Sequence, residues 1–151
     1  MTLKVFLALA TSLAMSQSGY CCSCIPLTDE TIMCQSSYVA VVELRSAMYD
    51  PAKLLYTYQG DQKRILKANF ELGSDESLVF STPASTEACG SPLELTENGE
   101  ENTFLIAAYG DVADGIEFGS CDYVARWNSL SEEQQKKLTK ENYANTCAEK
   151  W

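Results

Sequence analysis

Apolar positions along this chain come in short blocks separated by turn residues. The clearest block is Tyr38-Val39-Ala40-Val41-Val42-Glu43-Leu44, whose β-branched and aromatic residues predict a buried strand. Asp50-Pro51 closes it with a turn. Leu54 to Tyr58 and Arg64 to Leu72 predict two weaker strands, separated at Gly60-Asp61. Ser77 to Thr82 predicts another that ends at Pro83, after which Ala84-Ser85-Thr86-Glu87-Ala88-Cys89-Gly90 reads as a loop. A polar stretch, 94–102, leads into the strand Phe104-Leu105-Ile106-Ala107-Ala108-Tyr109, which Gly110 and Asp111 break. Ile116 to Val124 predicts a last strand carrying Cys121.

Helical signals lie toward the ends. Thr28 followed by Asp29 and Glu30 is a hydroxyl cap with acids at the positive end of a helix dipole, for a short helix ending near Cys34. Ser131-Glu132-Glu133-Gln134 matches a capping box and predicts a polar helix running to about Ala144. About five short strands with small flanking helices and no βαβ alternation predict a mainly β fold. The expected form is a five-stranded Greek-key barrel of the oligonucleotide/oligosaccharide-binding type.

The first residues are of another kind. Behind Lys4, the run Val5 to Ala10 continued by Leu13-Ala14-Met15 is too short to span a bilayer and fits a secretory leader. No comparable apolar segment follows, so a secreted, extracellular protein without membrane insertion is expected. Small-residue rules allow cleavage before Gln17, Gly19 or Cys22. Parity separates them: the chain has seven cysteines, and only the cut before Cys22 leaves an even number. The expected organisation is a leader at 1–21 and one domain at 22–151, a length suited to a single core.

Charge and composition narrow the function. With 21 acidic against 11 basic residues, a net charge of −10, the chain repels phosphate backbones and anionic lipid, so no nucleic-acid partner is expected. Histidine is absent, which removes the usual general base and the Ser-His and Cys-His nucleophilic pairs. The protein is therefore not expected to be an enzyme. Acidic residues, including Glu132 and Glu133, are scattered as a solvated surface would scatter them, Trp127 is expected to pack near the last helix, and the strand aromatics are expected in the core.

The remaining cysteines are 22, 24, 34, 89, 121 and 147, crowded at the start and spread thereafter. Six cysteines allow about 15 pairings, and spacing alone does not choose among them. Early-to-late pairing would staple the start of the chain across the fold, each long closure contributing on the order of 3–5 kcal/mol. A Cys-x-Cys pair can also be a soft-metal site, but the far-apart remaining cysteines and the oxidising setting disfavour that.

Cys22-Ser23-Cys24-Ile25-Pro26 with Cys34 resembles the start of the inhibitory domain of the tissue inhibitors of metalloproteinases. Thr82-Pro83-Ala84 leading to Cys89-Gly90, then Phe104-Leu105-Ile106-Ala107, then Cys121 followed by Trp127-Asn128-Ser129-Leu130-Ser131, agree in order. The resemblance implies a netrin-like barrel with disulfides Cys22 to Cys89, Cys24 to Cys121 and Cys34 to Cys147. It also implies a single-domain form, because the chain ends soon after Cys147 where the family continues into a second, cysteine-rich domain.

What the resemblance implies for function is inhibition of secreted or extracellular zinc metalloproteinases, by a monomer with no cofactor of its own. Cys22 would chelate the target's catalytic zinc through its free amine and its carbonyl oxygen. Ser23 would point into the specificity pocket, and Cys24, Ile25 and Pro26 would follow along the cleft. The loop residues Pro83, Ala84, Glu87 and Ala88 would flank them, with the acid at Glu87 bearing on target choice. The alternative is a netrin-like module that binds extracellular proteins or matrix without chelation, and the position of the N-terminus separates the two.

Overall fold

The structure, a computed structural model, describes residues 22–72, 77–111 and 115–148. The expected leader lies outside the described residues. Strands β1 (Tyr38–Asp50), β2 (Leu55–Ala68), β3 (Ser77–Pro83), β4 (Thr103–Asp111), β5 (Gly115–Glu117) and β6 (Tyr123–Arg126) form one sheet. Helices α1 (Asp29–Gln35), α2 (Glu132–Lys137) and α3 (Lys140–Ala148) flank it. The strand order is β1-β2-β3-β5-β4-β6, and an added β1–β4 pairing closes it. The ring is the five-membered barrel expected, β1-β2-β3-β5-β4, antiparallel except where β3 meets β5.

β5 and β6 share one edge of β4, β5 opposite Tyr109–Asp111 and β6 opposite Phe104–Ala107. The single strand expected over Ile116 to Val124 is thus in two pieces, and a turn explains the break. The Gly119 amide donates to Asp122 Oδ2 (2.8 Å), the Asp122 amide donates back to Gly119 O (3.1 Å), and the Ser120 amide donates to Cys89 O (2.8 Å). These bonds draw Cys121 off the sheet toward Cys24.

The first half of β1 is buried on both faces, as its unbroken apolar run predicts. Tyr38, Ala40, Val42 and Leu44 face the barrel interior with Tyr58, Phe80, Phe104 and Ile106. Val39 and Val41 face outward, where they pack with Leu66, Leu105, Ala107 and Tyr143. Beyond Leu44, β1 is hydrogen-bonded only to β2 and comes into solvent. The strand aromatics divide accordingly: Tyr38, Tyr58, Phe80 and Phe104 are core, whereas Tyr49 and Tyr109 are 44% and 55% exposed.

The break expected at Gly60-Asp61 is absent, and β2 runs through it without interruption. Gly60 pairs with Leu44 on one side and Leu78 on the other. A Cβ there would lie 2.6 Å from Val42 Cγ1 and 2.8 Å from Leu44 Cδ2, so the glycine marks a close approach of packed strands.

Thr28 caps α1 by accepting from the Thr31 amide (3.2 Å), and Ser131 and Gln134 form the expected capping box of α2. The single terminal helix expected is two helices. Leu138 ends α2, and Thr139 restarts the chain as a cap, its hydroxyl accepting from the Asn142 amide at 3.3 Å. Tyr143 of α3 donates its hydroxyl to Met33 O (2.6 Å), and Cys34–Cys147 bonds α1 to α3. Trp127 packs with this outer cluster, as expected, with the Arg64 guanidinium 5.6 Å from its ring. No helix among the described residues is long and apolar enough to cross a membrane.

Candidate functional site

The site is built from two segments that carry little regular structure, and its shape depends on how each is pinned. β3 delivers Pro83, which pairs with Leu55, and the Ala84 amide then donates to Leu54 O (2.9 Å). A short 3-10 turn at Thr86–Ala88 follows, capped by Ser85, whose hydroxyl accepts from the Ala88 amide (3.3 Å). Cys89 adopts a left-handed conformation (φ 64°), and the Gly90 amide donates back to Ser85 O (2.9 Å). Only glycine fits next, because a Cβ on residue 90 would sit 1.9 Å from Pro83 O. Buried Thr82 accepts from the Ser91 amide (2.8 Å), which fixes the far side of the loop.

Segment 22–27 lies along this loop. Cys22 is bonded to Cys89 (Cα–Cα 5.4 Å) and Cys24 to Cys121 (Cα–Cα 5.3 Å), while α1 anchors the residues that follow. These two bonds and Cys34–Cys147 are the pairs named from the resemblance. Alternate residues are thus held by two different loops, and Ser23 between them is exposed. Ile25 is 76% exposed, above the 66% of Met48, and Pro26 beside it is also exposed. The expected contact residues therefore fall into one continuous ridge: Cys22 to Pro26, with Pro83, Ala84, Glu87 and Ala88 joined to it through Cys89.

The electrostatics of the ridge are acidic. Glu87 is exposed, and bonds from its own amide and from the Ser85 hydroxyl hold its carboxyl below the usual range. Asp122 moves the other way: burial raises its pKa, the Gly119 amide partly offsets this, and nearby Glu117 adds to the rise. Sequence reasoning missed the Gly119–Asp122 turn and Leu54 as supports of the site. The turn had a signal in Gly119-Ser120-Cys121-Asp122, a glycine and an aspartate flanking a cysteine. Leu54 had none, since its contribution is a backbone carbonyl.

Fold and site together define a class of protein: a closed, disulfide-stapled β-barrel that pins an exposed segment, 22–27, to two of its loops. The family model for tissue inhibitor of metalloproteinase matches residues 20–150, and the chain belongs to that family. It is 30% identical to metalloproteinase inhibitor 2 of Gallus gallus over 135 residues, covering 83% of this chain and 57% of that protein. With metalloproteinase inhibitor 4 of Rattus norvegicus it shares 29% over 137 residues, 85% of this chain and 58% of that protein. With metalloproteinase inhibitor 2 of Canis lupus familiaris it shares 26% over 147 residues, 91% and 63% respectively. The chain thus spans about three fifths of the length of the curated relatives it matches.

Proposed function

We propose that residues 1–21 are removed as a leader and that the mature chain, a secreted monomer starting at Cys22, inhibits extracellular zinc metalloendopeptidases. A catalytic zinc keeps one coordination position open for water. In this reading the α-amino nitrogen and carbonyl oxygen of Cys22 take that position and expel the nucleophile. Ser23 enters the pocket beside the scissile position. Ile25 and Pro26 continue along the cleft, flanked by Pro83, Ala84, Glu87 and Ala88. The zinc belongs to the target, and the inhibitor needs no cofactor of its own.

The observation that carries this reading is the stapling of Cys22 and Cys24 to two separate loops while Ser23, Ile25 and Pro26 stand exposed. A segment already pinned at two alternate residues gives up less conformational entropy when it enters a cleft than a free one would. The names of the relatives support the target class, and a frame of three disulfides suits an oxidising compartment.

The test begins with the N-terminal sequence and intact mass of the secreted protein, then inhibition of a panel of zinc endopeptidases. A form with one extra residue ahead of Cys22 is assayed beside it. The expected outcome is a chain that starts at Cys22 and inhibits, and an extended form that does not. An α-amine has a reference pKa of about 7.7–8.0 and must lose its proton to coordinate, so inhibition should weaken in mild acid after correction for each enzyme's own pH response. Equal potency of the extended form would refute chelation by the Cys22 amine, and failure of the form starting at Cys22 to inhibit any enzyme would return the chain to the class of non-inhibitory binding modules.

A further inference from the structure

Beside the ridge the surface opens into a hollow of about 560 Å³, lined by Ala88 and Cys89 of the ridge loop and by Tyr109, Glu117 and Asp122. Tyr109 of β4 and Glu117 of β5 are direct cross-strand partners. Their side chains therefore leave the sheet on the same face as neighbours. Tyr109 is exposed, so its ring and the Glu117 carboxylate together present an aromatic face beside a negative charge. Asp122, fixed by the Gly119 amide, lines the same hollow, and no Lys or Arg lines the space among the described residues. Two carboxylates that repel each other, an aromatic ring and an open volume make a receptor for one cationic side chain.

Resting on the inhibitory reading above, we propose that this hollow is a secondary specificity site, taking a Lys or Arg side chain from the rim of the target proteinase's cleft. Its continuity with the ridge through Ala88 and Cys89 places it where a rim residue would arrive once the wedge is seated. Targets with a basic rim residue would be held more tightly and captured faster than targets without one. The wedge would supply the inhibition, and the hollow would rank the enzymes.

The test compares the wild-type mature protein with E117Q, E117K and Y109A on the same proteinase panel, with inhibition constants and association rates measured at low and high salt. Glu117 is exposed, so thermal unfolding should match wild type. Expected for E117Q is a loss of about 5–10-fold against the best-inhibited enzymes, with a flatter salt dependence of association. E117K should lose about 100-fold against those enzymes and lose least against enzymes whose rim is acidic. Wild-type inhibition with E117K within about twofold on every enzyme overturns this site and leaves the wedge standing. Failure of the wild-type protein to inhibit any of the panel overturns the wedge, and this site with it.

Discussion

Gly60→Ala is the substitution whose sign depends most directly on the path of β2. Gly60 is not at positive φ, so alanine meets no backbone strain there and only space matters. The added Cβ would lie 2.6 Å from Val42 Cγ1, 2.8 Å from Leu44 Cδ2 and 3.1 Å from Phe80 Cε2. All three neighbours are buried, Val42 and Phe80 fully, so the side chains have little room to withdraw. Overpacking of this kind costs about 1–3 kcal/mol. For a domain of this size the midpoint of thermal unfolding should fall on the order of 3–12 °C. The assay is thermal and urea unfolding under non-reducing conditions, followed by circular dichroism. Val42→Ala removes the nearest clash, so the double variant should be less destabilised than the sum of the single ones by roughly 1 kcal/mol. If Gly60 instead lay in an uncrowded loop at negative φ, alanine would stabilise by about 0.4–1 kcal/mol through the unfolded chain. A midpoint at or above wild type would therefore refute the threading of β2 through the barrel wall.

Two further outcomes follow from the same structure. Replacing Cys34 and Cys147 together by serine removes a closure over 113 positions and should lower stability by about 3–5 kcal/mol, while inhibition at temperatures where the domain stays folded is retained; urea titration and the proteinase assay check this. Asp122→Asn keeps an acceptor for the Gly119 amide and removes a charge that burial disfavours. A carboxyl whose folded pKa is raised contributes most below its unfolded value near 3.9 and loses that contribution as pH rises through the folded value. The stability of D122N relative to wild type should accordingly grow from about pH 4 upward and then level off, as unfolding midpoints across pH will show. A constant difference at all pH values would contradict the burial of that carboxylate.

The sequence by itself determined the elements whose signals are local. Thr28 and the Ser131–Gln134 box each satisfy amides within the next turn, so the helix starts were legible without tertiary information. The apolar run at Tyr38–Leu44 could be satisfied only by burial on both faces, which made it the central strand. The ridge was legible because its cysteines and proline are distinctive residues in a fixed order, and the family resemblance supplied the pairing that spacing left open among 15 choices.

What only the tertiary structure decided were the places where one residue type has two opposite uses. Gly60 reads as a breaker, yet it sits where strands crowd, because absence of a side chain serves both a turn and a close approach. The last strand divides because Cys121 is pulled toward Cys24, a partner 97 positions away that no local window contains. The terminal helix divides because Thr139 can cap as well as continue, and the partly buried Leu138 before it packs against the outer cluster. Tyr109 and Glu117 became a site only when β4 and β5 paired, since neither residue is unusual alone and their chemistry arises from standing side by side.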